Sequence, residues 1–414
     1  MKPLTRAALF LLTILLPAAE TEPRWLVLNH AARQALESKD YAKLRDALSE
    51  LRLLLPGNPR ILYNLAAANA RLGQNESALE GLRDLANAGL IYDFNADEDF
   101  APLHTFPQFA AVLRQVEQNR KPITHAVTVS TLPERDLLPE DIAYDPKTRR
   151  FLIGSVTECK IVTKTGALFA KTDWPVMALR VDIKRRTLWA ATGWLANCRQ
   201  CVPAGKDKSA LLGFDLDSGA LRNRIDSPVK GLLGDMTISR TGDLYVSEGS
   251  YGAVLYLKAN ASSLERLDSP GEFASPQTPV LSSDEHTLYV PDYVRGIAEI
   301  NLGTRAVQWL QPAPNVILSG IDGLYRYRDS FLAVQNGVTP ERIVLFSADL
   351  KKQKILEANS PGLGEPTHGT FIRDTFYFIA NTGWNAYDDE GKKKPDSAPV
   401  ESQIRKIVLS RLDK

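Results

Sequence analysis

Five polar side chains recur through the C-terminal two thirds of the chain at comparable points of a repeated pattern. They are Glu140, Asp235, Gln277, Asp322 and His368. Asp322 sits between Ile321 and Gly323 at the start of an apolar run, where an acid is costly unless something partners it. If these positions converge, several carboxylates meet at one point, and they repel unless one takes a proton or a cation sits among them. A ligand set of carboxylate and amide oxygens suits a hard divalent ion. Calcium is expected first, with manganese, magnesium or zinc as alternatives. His368 has the chemistry of a base or a substrate contact. The plainer role for Glu140 and Asp322 is to cap turns or accept backbone N–H groups where a strand begins. A lone histidine at such a place can equally be structural, and Asp292, Asn336 and Asn381 read as ordinary turn residues.

The elements that must position these residues follow from the repeat. Six segments share one plan: a polar or small residue, a short strand, a charged turn, then an aromatic or leucine-rich strand. PEDIAYDPKTRRFLIGS and IDGLYRYRDSFLAVQNG are two of them. The marker positions are Glu140, Ala178, Asp235, Gln277, Asp322 and His368, at separations of 38, 57, 42, 45 and 46 residues. The long gap holds the insertion GWLANCRQCVPAGKDKS. Periods of this length, with period-two strands between Gly, Asp and Pro turns, are those of propeller blades. The fold class is therefore mainly β, a six-bladed β-propeller over 123–410. HAVTVST (125–131) and QIRKIVLS (403–410) are expected to pair and close the ring, which removes exposed sheet edges.

Residues 25–120 carry apolar and small residues at helical spacing, Leu65, Ala68 and Leu72 and then Ala78, Leu82 and Leu85. Gly73 ends one helix, and Pro56-Gly57-Asn58-Pro59 stops another. A spacing near 34 residues resembles the tetratricopeptide repeat at Asn64-Leu65-Ala66, Gly73, Ala78 and Pro56. A small all-α, tetratricopeptide-like domain is expected to precede the propeller, with 106–119 as its capping helix. A plain helical hairpin array without a partner groove is the alternative.

The propeller resembles the SMP-30/gluconolactonase/LRE-like group, and more distantly paraoxonase and strictosidine synthase. The matching residues are Glu140 in LPEDIAYD, Gln277 in SPQTPVLSSD and Asp322 in GIDGLYRY. The resemblance implies that Glu140, Gln277 and Asp322 hold a divalent metal at the channel mouth, which polarises a lactone or ester carbonyl. Asp235 and His368 would then assist as catalytic groups. This chain departs from the family at Gln277 and at Gly234, where an asparagine is usual. With Asp235 one place beyond Gly234, a slip of one residue would turn its side chain to the opposite face. The second repeat offers only Ala178.

Composition narrows the remaining classes. Lys+Arg number 50 against Asp+Glu 49, for a net charge of +1, which argues against a nucleic-acid footprint. The first residues, MKPLTRAALFLLTILLPAAETEP, have the order of a secretory signal peptide over 1–19, too short for an ordinary membrane span. Its removal would leave a secreted or periplasmic protein with no stable membrane span; an uncleaved anchor is the alternative. Export permits a disulfide between Cys198 and Cys201, with Cys159 free or competing for one partner. Two functions remain. One is a metal-dependent hydrolase of a small-molecule lactone or ester. The other is a non-catalytic scaffold that docks a protein partner through its helical repeats.

Overall fold

The structure, a computed structural model, describes residues 22–412 apart from 202 and 389, so the expected signal peptide lies outside the described residues. Among these residues no helix is long and apolar enough to cross a membrane. The chain begins with helices α1 (Arg24–Glu37), α2 (Tyr41–Leu54), α3 (Pro59–Arg71), α4 (Asn75–Asn87) and α5 (Pro107–Asn119). Their ends are set locally. Asp40 accepts the Lys43 N–H at the start of α2, and Asn58 accepts those of Arg60 and Ile61 at the start of α3, with Pro59 in the first helical position. Between α3 and α4, Gly73 takes φ +73°, a turn conformation that costs a glycine little.

Six four-stranded antiparallel sheets follow. The sixth is composite: Val127–Thr131 pairs with Gln403–Val408 in the register Val127 to Lys406 and Thr131 to Gln403, which is the closure expected from the two terminal runs. The blades pack face to face, so inner strands are buried on both sides. In the first two blades Ala143, Leu152 and Ile161 meet Leu179, Leu188 and Leu212 in one apolar layer. Four inner strands carry a register shift near the marker position, at Pro139/Ile142, Val176/Ala178, Leu233/Asp235 and Ile321/Gly323. Such bulges re-aim a side chain without breaking the sheet.

The helices pack on the channel-mouth end of the fourth and fifth blades. Ile317 and Val338 join the cluster of Leu82, Phe94 and Phe100, while Ala274 and Val294 pack with Trp25, Leu48 and Leu51. Asn58 Nδ2 donates to the Val294 carbonyl at 2.8 Å, and Asn359 Nδ2 donates to that of Asn119 at 2.8 Å. The Ala88 carbonyl at the end of α4 accepts from Arg342 Nη1 at 2.6 Å and Gln353 Nε2 at 2.8 Å.

The insertion in the second blade brings all three cysteines together. Cys198 and Cys201 form a disulfide-capable pair with Cα atoms 5.4 Å apart, and buried Cys159 places its sulfur 2.6 Å from that of Cys198. Burial pushes the Cys159 thiol up to about 11, so it stays protonated. Only one bridge can form among three sulfurs. Protein unfolded without reductant is therefore expected to show one free thiol in a colorimetric count; a count of three would exclude the bridge.

Candidate metal and catalytic site

The marker positions bring four ionisable side chains to the channel mouth. Glu140 and Asp322 occupy the register shifts of the first and fifth inner strands, and His368 precedes the sixth inner strand, Gly369–Ile372. By register Gly234, rather than Asp235, is the counterpart of Asp322. Even so, Asp235 reaches the cluster: its Oδ1 lies 2.7 Å from His368 Nε2. His368 Nε2 is also 3.8 Å from Asp322 Oδ1, and its Nδ1 is 3.9 Å from Glu140 Oε1. All four residues are buried.

The histidine's tautomer follows from its neighbours. Nδ1 faces the Glu140 carbonyl at 3.0 Å, and a carbonyl only accepts, so Nδ1 donates. Nε2 is then left to carry a second proton or to offer a lone pair. It stands 2.7 Å from Asp235 Oδ1, close enough to form a charge-assisted pair when it carries that proton. A buried ring nitrogen facing the carboxylates of Asp235 and Asp322 can pair with them when protonated or, when not, offer its lone pair to a cation. One ligand atom each from Glu140, Asp322 and His368 lies within 4.8 Å of the other two.

Neighbours orient both acids. Trp384 Nε1 donates to Glu140 Oε2 at 2.6 Å, and Asn336 Nδ2 donates to Asp322 Oδ2 at 2.7 Å. Each carboxylate thus has one oxygen fixed and the other turned to the histidine. Asn336 is itself held by the Tyr293 hydroxyl, which donates to its Oδ1 at 3.0 Å. Thr278 Oγ1 stands 3.0 Å from Asp235 Oδ1 and 2.9 Å from the Asp322 carbonyl.

The electrostatics are those of crowded, desolvated acids. Burial, and then the charge of Asp322, push Glu140 well above the usual carboxylate range, against the pull of His368 and Trp384. Burial raises Asp322 to about 6, with Asp235 adding to the rise and His368 and Asn336 opposing it. Burial alone would lower His368, but Asp235 and Asp322 outweigh it and hold the imidazole well above its ordinary value. A proton on His368 or a divalent cation relieves the same repulsion.

Gln277 is placed differently from the others. Its Nε2 donates to the carbonyl and hydroxyl of Ser275, at 3.2 and 3.0 Å, while the next residue, Thr278, touches the cluster. The second blade, which offers Ala178 at its marker, supplies Arg180 two residues on. Its Nη1 lies 2.6 Å from Asp141 Oδ2, neutralising the acid adjacent to Glu140. Thr278, Arg180 and Trp384 carry no part in the expectations from sequence, and Asn336, expected as an ordinary turn residue, is bonded to Asp322 instead. The polar residues that directly follow a marker, Asp141 and Thr278, carry a local signal; Trp384 carries none.

No protein-family model matches the chain. No curated protein matches it either. Among solved structures the chain is similar to one in the crystal structure of a nidogen/laminin complex, at 11% identity and a TM-score of 0.42, over 54% of this chain and 80% of that one. The likeness is one of architecture only.

Proposed function

We propose that the protein is an exported, divalent-metal-dependent hydrolase of lactones or esters, of the SMP-30/gluconolactonase type. The observation that supports this most is the convergence of buried Glu140, Asp322 and His368, with one ligand atom of each within 4.8 Å of the other two. Glu140, Asp322 and His368 are the residues that would hold the metal. Calcium or manganese suits the carboxylates, and the imidazole admits zinc. A bound divalent ion supplies Lewis-acid polarisation of a carbonyl and a lowered water pKa. Trp384 and Asn336 keep one oxygen of each acid engaged, so the ligand oxygens are pre-oriented. Asp235, beside the histidine and steadied by Thr278, is the group placed to take a proton from the attacking water. Gln277, bonded to Ser275, has no assigned role in this scheme.

Hydrolysis of γ-butyrolactone, gluconolactone and 4-nitrophenyl acetate tests the proposal, before and after chelation and with calcium, manganese or zinc restored. Loss on chelation and recovery with one metal is the expected result. Metal binding with no hydrolysis across the panel would overturn it and favour a non-catalytic platform.

A further inference from the structure

The helical layer does more than cover the propeller. A cleft of about 570 Å³ opens between α3 and the loops of the fourth to sixth blades, lined by Arg60, Tyr293, Asn336 and Glu341 among others. Its size is that of a small-molecule site. Two of its lining side chains, Tyr293 and Asn336, connect it by hydrogen bonds to the acid cluster. Tyr293 donates to Asn336 at 3.0 Å, and Asn336 donates to Asp322 at 2.7 Å.

The charges of the cleft favour one kind of ligand. Arg60 is exposed on its wall, and among the described residues its guanidinium has no carboxylate partner. It lies near enough to Tyr293 to offset part of the rise that burial imposes on that phenol. The acid on the lining, Glu341, is pushed up to about 8 by burial and by Glu365, so at neutral pH it is mostly an uncharged donor. The cleft thus offers a free guanidinium beside neutral hydrogen-bonding groups, a setting suited to a planar anion.

We infer that this cleft binds the carboxylate end of an acidic substrate and that Arg60, supplied by the helical layer, is the residue that recognises it. The inference rests on the hydrolase reading for what happens at the far end of the substrate, where the susceptible carbonyl would face Asp322 and Glu140. It gives the helices a part in the site: they supply a wall that the propeller lacks.

The test uses a stable probe, so that it reads binding without turnover. Calorimetric titration compares tetrahydrofuran-2-carboxylate with the neutral tetrahydrofurfuryl alcohol on the full protein. Wild type is expected to prefer the carboxylate by about tenfold to a hundredfold, the range of one charge-assisted contact. Arg60→Gln is expected to lose that preference, and Arg60→Lys to keep part of it. Equal binding of both probes by wild type, binding of neither, or an unchanged preference in Arg60→Gln would overturn the inference. Failure of hydrolysis alone would remove the enzyme reading and leave this result standing.

Discussion

Asp322→Ala is expected to weaken divalent-metal binding by more than about a hundredfold and to abolish hydrolysis, while the propeller stays folded. Even the loss of an outer residue that orients a ligand commonly costs tenfold to a hundredfold in affinity, and Asp322 would be a ligand itself. Its Oδ2 is engaged by Asn336, so Oδ1 is the oxygen left for the ion, and alanine removes both. The fold does not depend on this carboxylate. The neighbouring core rests on Leu324, Phe331, Ala333, Val344 and Phe346, none of which the substitution touches. Removing one acid also lessens the repulsion that Glu140 meets in the metal-free protein. Asp322→Asn is expected to fall between, since an amide oxygen can still ligate but brings no charge. Calorimetric titration of the three proteins with calcium, manganese and zinc decides it. Equal affinities in all three, or none in wild type, would return Asp322 to a structural role at the start of its strand.

Arg342→Ala is expected to destabilise the protein by about 3 kcal/mol, the largest effect on stability among these predictions. Arg342 is fully buried beneath α4, its Nε donates to Gln335 Oε1 at 2.8 Å, and its Nη1 donates to the Ala88 carbonyl. Burial lowers its pKa to about 10, so it remains a cation at neutral pH, placed against the negative end of the α4 dipole. Alanine leaves a void and an unpaired Gln335 oxygen. Arg342→Met fills much of the void and removes a buried charge that, among the described residues, has no carboxylate partner, so it is expected to cost less, about 1–2 kcal/mol. Urea unfolding followed by far-ultraviolet circular dichroism measures both. An alanine variant as stable as wild type would show that this contact does not hold the helices to the propeller.

Much of the architecture is legible in one dimension. Period-two runs, their aromatic second strands and the spacing of the markers place six blades, and the alternating runs at 125–131 and 403–410 find each other as the ring requires. Glu140, Asp322 and His368 are equally legible, because a repeat carries each blade's equivalent position to the same axis. Asp235 shows the limit of that reasoning. Its register is one place off, as Gly234 warns, yet its side chain still meets His368, since a local bulge and a short reach decide the outcome. Gln277 is the converse: it keeps the marker place, but its amide bonds to nearby Ser275.

By itself, then, the sequence determined the fold class, the ring closure and three of the converging groups, because hydrophobic period and repeat length are local properties that packing amplifies. Only the tertiary structure decided how those groups are oriented and what walls them in. Trp384 reaches Glu140 across 244 positions, and Arg342 reaches Ala88 across 254. Such contacts join irregular loops or a helix end to distant strands, where no periodicity marks the partner. Their geometry follows from how the blades and helices pack, and the hydrogen-bonding needs of buried carboxylates and carbonyls then select which side chains meet.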